Sequence, residues 1–93
     1  MFGTWKLDSH LNDGVELPEN VKTAFIEATR NLLGAKIVPV LYLGYQIVNG
    51  TNHMLLCTST PVVSAATSSL VKVIINVSPG GERNTLLSID PIA

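Results

Sequence analysis

The sequence predicts an α+β domain in which one helix packs on a curved antiparallel sheet. Apolar residues recur at helical spacing only between positions 18 and 34, whereas β-branched and alternating runs fill most of the chain after that. Turn signals rich in Asn, Gly and Pro separate these runs, and strands joined by short turns pair antiparallel. The predicted order of elements is therefore β-α-β-β-β-β.

Composition limits the classes of partner. The chain has 93 residues, enough for one domain, and is 46% hydrophobic and 14% charged with a formal net charge of −1. Because Lys and Arg are scattered, no nucleic-acid partner is expected. The longest apolar run, residues 37–43, is too short to span a bilayer. Residues 1–8 lack the apolar segment of a signal peptide, so we expect a cytoplasmic chain or a secreted bacterial domain whose signal has been removed.

The first predicted element is a short strand from Gly3 to Asp8. Trp5 and Leu7 recur with a period of two, which places them on one face of this strand. Trp5 is expected to pack in the core or against the sheet. Residues 9–16 are rich in Asn, Asp, Gly and Ser and predict a loop before the helix.

One amphipathic helix of about four turns is predicted between Pro18 and Gly34. Pro18 suits the first turn because it lacks the amide proton that a helix start leaves unpaired. The apolar stripe consists of Val21, Phe25, Ala28 and Leu32, widened by Ala24 and Leu33. Gly34 suits the left-handed residue that ends a helix.

Every segment after Gly34 is predicted as strand or loop. The predicted strands are Lys36–Val48, Thr51–Thr58, Leu70–Val77 and Thr85–Ile92. Pro39 cannot donate to a strand ladder, so it predicts an edge position or a bulge. Residues 59–69 predict a low-charge loop, and Pro79-Gly80-Gly81 predicts a turn.

The segment Gln46-Ile47-Val48-Asn49-Gly50 is the most informative stretch of the chain. Two β-forming residues lead into Asn49-Gly50, and Asn-Gly predicts a tight type I′ hairpin. Gly50 has no Cβ and tolerates a positive φ, so the tip can be narrow. Val48 offers stiff apolar surface, and the Gln46 amide can satisfy backbone polar groups on the hairpin or on a partner.

The Gln-x-Val-x-Gly sequence of residues 46–50 resembles the central motif of the cystatin and stefin inhibitors of papain-like cysteine proteases. The order of elements is also similar to that family. Gly3, preceded by Phe2, looks like the glycine of the family's N-terminal trunk, and Ser78-Pro79-Gly80 stands where stefins often carry Leu-Pro-Gly. The resemblance covers essentially the whole chain and implies a cystatin-like, single-domain, disulfide-free fold.

The resemblance implies a reversible, non-covalent inhibitor whose trunk and two hairpins form a wedge that enters the cleft of a papain-like protease. Such an inhibitor is not an enzyme and needs no cofactor or metal. The implied protease-binding residues are Phe2, Gly3, Gln46, Ile47, Val48, Asn49, Gly50, Pro79 and Gly80. The chain departs from the family in its single trunk glycine and in Ser78, which replaces an apolar contact residue.

Other readings stay open at this point. A cystatin-fold module, secreted or on a cell surface, can keep the hairpin for stability and bind an unknown partner without inhibiting a protease. The low charge and long strands also allow a domain-swapped dimer instead of the expected monomer. An enzyme is not expected, because no paired carboxylates, phosphate loop or Ser-His-Asp arrangement is recognisable.

Cysteine and histidine usage predicts no metal site. Cys57 is the one cysteine, so the chain has no internal disulfide, and it is expected to be a small buried apolar residue. His10 and His53 are expected to be surface polar residues, since neither has a second ligand at useful spacing.

Overall fold

One helix lies against one antiparallel sheet. The computed structural model describes residues 5–7, 17–63 and 67–92. Its elements are β1 (Trp5–Leu7), α1 (Glu19–Thr29), β2 (Ala35–Val48), β3 (Gly50–Pro61), β4 (Ser69–Val77) and β5 (Asn84–Pro91). The strands pair antiparallel in the order β1-β2-β3-β4-β5. The α+β class and the single helix on an antiparallel sheet are therefore confirmed.

The core lies between α1 and one face of the sheet, and α1 approaches β5 and β4 most closely. The helix contributes Val21, Ala24 and Phe25, which are all buried. Alternate sheet residues meet them, namely Tyr42, Leu55, Cys57, Val71, Val73 and Ile75. Each fully buried aliphatic side chain stabilises the fold by about 1.5–3 kcal/mol, so this small set holds the helix on the sheet. The predicted burial of Cys57 is confirmed.

The helix ends earlier than the sequence predicts. It has 11 residues, about three turns, and ends at Thr29. The Thr29 hydroxyl donates a hydrogen bond to the Phe25 carbonyl at 2.7 Å, and such a side chain competes with the backbone ladder. The Leu32 amide then bonds the Thr29 carbonyl three residues back, which is a tight turn and not a further α-helical turn.

Leu33 and Gly34 consequently lie outside the helix. Leu33 is 92% exposed, so its predicted place in the buried stripe was wrong. Gly34 has a φ of +90°, as predicted for a left-handed residue, but it leads directly into β2. Its carbonyl accepts a hydrogen bond from the Val62 amide at 3.0 Å, which ties this corner to the end of β3.

The β2–β3 hairpin is longer than predicted. Ala35 pairs with Pro61, so β3 extends into the segment that was expected to be a loop. The register shifts between Pro39 and Leu41, which confirms the predicted bulge at Pro39. A second shift follows between Tyr42 and Gly44. Among the described residues, β1 pairs with residues 44–46 of β2.

Candidate functional site

The tip of the β2–β3 hairpin is narrower than a type I′ turn. Val48 pairs with Gly50, and Asn49 is the one residue between them. A two-residue turn at Asn49-Gly50 would instead place Val48 opposite Thr51. The structure thus differs from the sequence-based expectation in register, although Gly50 has the predicted positive φ, at +93°.

Gly50 lies directly against the loop between β4 and β5. A Cβ added at Gly50 would overlap the carbonyl oxygen of Val77 and would lie 3.1 Å from the carbonyl carbon of Ser78 and 3.2 Å from the nitrogen of Pro79. Only glycine allows two backbones to approach this closely. The two hairpin tips are therefore neighbours, and we call the surface formed by residues 47–50 and 78–80 the hairpin end.

Ser78 closes the second loop of the hairpin end. Its amide donates to the Arg83 carbonyl at 2.9 Å, and its carbonyl accepts from the Gly81 amide at 2.8 Å. Its hydroxyl accepts from the Arg83 amide at 3.0 Å. These bonds leave Pro79 and Gly80 exposed at the tip of the loop. Ser78 thus has a structural role within the loop.

The third predicted segment enters the sheet at the same end. Trp5, the first residue of β1, pairs with Gln46, and Leu7 pairs with Gly44, farther from the tip. β1 therefore points its N-terminal end toward the hairpin end. Phe2 and Gly3, the predicted trunk residues, lie outside the described residues.

Gln46 belongs to a ladder of amide side chains. The Asn52 amide donates to the Gln46 side-chain oxygen at 3.1 Å, and the Asn76 amide donates to the Asn52 side-chain oxygen at 2.8 Å. Gln46, Asn52 and Asn76 are register partners on β2, β3 and β4. Because Asn52 is next to the helix-facing His53, the ladder lies on the face of the sheet away from α1.

His53 is buried, so its predicted surface position was wrong. It is 7% exposed and faces the core side of the sheet, two residues from Leu55. Its Nδ1 lies 2.8 Å from the Tyr42 hydroxyl, and the ring centroids are 5.8 Å apart. Burial lowers the pKa of His53 below its usual 6.5, so the ring is neutral near pH 7. Successive side chains of a strand alternate between the two faces of the sheet. The spacing of two residues between His53 and Leu55 was therefore the sequence signal for a shared face.

A polar cleft adjoins the hairpin end between α1 and the sheet. It has a volume of about 540 Å³. The helix lines it with Asn20, Thr23 and Glu27, and the sheet with Thr51, His53 and Asn84. The Asn84 amide donates to the Glu27 carboxylate across this cleft, which joins the helix to the start of β5. The sequence offered no pattern that brings these two residues together, because they are remote along the chain.

The one cysteine of the chain, Cys57, is buried and free. Burial raises the pKa of the Cys57 thiol to about 12, so the thiol stays protonated and is a poor nucleophile. Within residues 5–7, 17–63 and 67–92, no three His, Cys, Asp or Glu side chains are close enough to hold a metal ion. In the same part of the chain, no helix is long and apolar enough to cross a membrane.

Of the predicted site residues, the structure brings together Gln46, Ile47, Val48, Asn49, Gly50, Pro79 and Gly80. Comparison of the chain with protein-family models, with curated proteins and with solved structures finds no match.

Proposed function

We propose that this chain is a reversible, non-covalent inhibitor of papain-like cysteine proteases, with a cystatin-like arrangement of its wedge. One observation carries the proposal. Gly50 lies against Val77 and Pro79, so the motif hairpin and the second predicted contact loop stand side by side at one end of the sheet. The resemblance of residues 46–50 and 78–80 to the family supplies the identity of the partner.

The narrow tip and the exposed apolar surface of the hairpin end support this proposal. A one-residue tip at Asn49 is thin enough to enter a V-shaped cleft, and Ile47 beside it is exposed and apolar. Hairpins held by a continuous ladder lose little conformational entropy on binding, which favours affinity. Blocking the cleft in this way needs no catalytic group, which agrees with the inert state of the Cys57 thiol.

The first experiment is titration of active papain with the purified chain. We expect reversible inhibition, in which papain activity returns on dilution and no covalent adduct is left. Absence of inhibition at tens of micromolar would remove papain-family inhibition as the function.

A matched pair of variants locates the contact. Ile47 is 55% exposed at the hairpin end, and Ile92 is 51% exposed at the opposite end of the sheet, where its amide bonds Leu70. Ile47→Asp should weaken inhibition about tenfold to hundredfold, since an anchor at the centre of an interface dominates its energy. Ile92→Asp should leave inhibition unchanged. Equal effects of the two substitutions would contradict a contact at the hairpin end.

Gly50 is less suited to this test than Ile47. Any side chain at Gly50 would displace the Val77–Pro79 loop, so a loss of inhibition would mix folding with binding. The exposed Ile47 side chain avoids that ambiguity.

A non-inhibitory binding module is the second candidate function. It is favoured by the structural roles of two motif residues, because Gln46 accepts a ladder hydrogen bond and Gly50 permits the close approach of two loops. A motif kept for these contacts alone would give a folded chain without effect on papain. Wild-type titration and the Ile47→Asp variant therefore separate the two candidates.

A further inference from the structure

We propose that Asn49 is a site of spontaneous deamidation that changes the tip of the hairpin. Asn49 is the one asparagine of the chain that is followed by glycine. It is exposed, and it has no register partner in the β2–β3 ladder. Its side chain makes no hydrogen bond to the described residues, so its amide is open to reaction.

The chemistry needs only the chain and water. The backbone nitrogen of Gly50 attacks Cγ of the Asn49 side chain, a C–N bond forms, and the side-chain nitrogen leaves as ammonia with the proton of the attacking amide. Water then adds to either carbonyl of the cyclic imide and opens it to aspartate or isoaspartate. Glycine favours the attack because it has no Cβ beside the attacking nitrogen.

The other described asparagines of the sheet provide an internal contrast. The amides of Asn52, Asn76 and Asn84 all donate hydrogen bonds to side chains. Each of the three lies within a paired strand and is followed by a residue with a side chain. These hydrogen bonds and the strand pairing hold their amides away from the following backbone nitrogen, so reaction is expected at Asn49 first.

Deamidation at Asn49 has a consequence for the hairpin end. It adds a negative charge at the tip, and isoaspartate also inserts one atom into the backbone between Val48 and Gly50. Either change disturbs the close backbone contact between Gly50 and Val77. This consequence rests on the proposed function: deamidated chains should inhibit papain about tenfold more weakly or worse, because the change lies at the centre of the wedge.

The test is incubation of the purified chain in warm, mildly alkaline buffer, followed by peptide mapping with mass spectrometry. We expect a gain of about one dalton on the peptide that holds Asn49, with isoaspartate detected by enzymatic methylation. The peptides that hold Asn76 and Asn84 should stay unchanged over the same time. The Asn49→Gln variant should show no gain, since its longer side chain would have to close a larger ring.

Two outcomes would overturn the proposal. One is an unmodified Asn49 in the folded chain over a time in which the urea-unfolded chain converts. The other is conversion of Asn76 or Asn84 as fast as Asn49.

Papain titration of fresh and aged protein, together with Asn49→Asp, tests the consequence separately. Aged wild type and fresh Asn49→Asp should both inhibit papain more weakly than fresh wild type. Equal inhibition by fresh and aged protein would overturn the effect on the wedge but not the proposed function. A fresh chain that never inhibits papain would instead contradict the proposed function, while the mass gain at Asn49 would still stand.

Discussion

At the residue scale, the structural role of a residue depends on which distant part of the chain lies next to it. Gly34 and Gly50 have nearly the same backbone, with φ of +90° and +93°. Nothing lies within 4 Å of a Cβ at Gly34, whereas Gly50 is pressed against Val77. Two glycines with one conformation therefore have different structural roles.

Replacing these glycines by alanine should separate strain from overlap. Gly34→Ala should lower the free energy of unfolding by about 1–2 kcal/mol, the cost of a left-handed alanine. Gly50→Ala should cost more, by a further ~1–3 kcal/mol, because the Val77–Pro79 loop must move. Urea unfolding followed by circular dichroism measures both free energies of unfolding. Equal losses would mean that the overlap of an alanine Cβ with Val77 adds no cost.

His53 should make stability depend on pH. Its pKa is lowered by burial below 6.5, so the unfolded chain takes up the proton more readily than the folded chain. The contribution of His53 is therefore fully present above about pH 6.5 and is lost as the pH falls toward the lowered folded value. Carboxylates add their own effect only below about pH 5.

Urea unfolding of the wild type, His53→Phe and His10→Gln between about pH 7.5 and 5.5 tests this prediction. We expect the loss of stability on acidification in the wild type and in His10→Gln, and a flatter profile in His53→Phe. If the pH dependence of the free energy of unfolding disappears in His10→Gln alone, the effect belongs to His10 and not to His53.

At the element scale, hydrogen bonds between side chains reinforce the pairing of three strands. Asn52 is the central member of the amide ladder, since it donates to Gln46 and accepts from Asn76. Register is set where such pairs meet directly opposite each other. The ladder begins three residues before Asn49, so it stiffens the hairpin that carries the tip.

Removal of the central amide should cost more than removal of a terminal one. Asn52→Ala breaks two hydrogen bonds of the ladder and should lower the free energy of unfolding by about 1–3 kcal/mol. Asn76→Ala breaks one and should cost about half as much. Thermal and urea unfolding of both variants compares them, and a neutral Asn52→Ala would show that water replaces the ladder.

At the scale of the whole molecule, a packed core lies next to the end of the sheet that carries the two hairpin tips. The helix packs closest to β4 and β5, and the core of the domain contains Phe25 and Cys57. The hairpin end adjoins the polar cleft across which Asn84 joins Glu27 of the helix to the start of β5. A rigid centre that carries two adjacent loops holds the candidate contact surface in one arrangement.

The Cys57 thiol should report opening of the whole core. It has no exposed surface, and its pKa is raised to about 12, so alkylation requires unfolding. Iodoacetamide at mildly alkaline pH should label the folded chain slowly and the urea-unfolded chain rapidly. Phe25→Ala, which removes about 3–5 kcal/mol of core packing, should speed labelling of the otherwise folded chain. Fast labelling of the wild type would contradict a closed core around Cys57.

The sequence by itself determined what depends on neighbours along the chain. Helical spacing before Gly34 predicted the helix, and β-forming runs after it predicted the strands of the sheet. Asn49-Gly50 predicted the position of a hairpin tip, and Pro39 predicted a bulge. These signals are local because periodicity and turn chemistry are properties of short segments.

Only the tertiary structure decided the features that depend on remote residues. Three features depend on contacts between separate strands. They are the register at Asn49, the close contact of Gly50 with Val77 and the burial of His53 beside Tyr42. Local patterns in one sequence do not show which remote residues come into contact. Those contacts are fixed by close packing, which forms only when the whole chain folds.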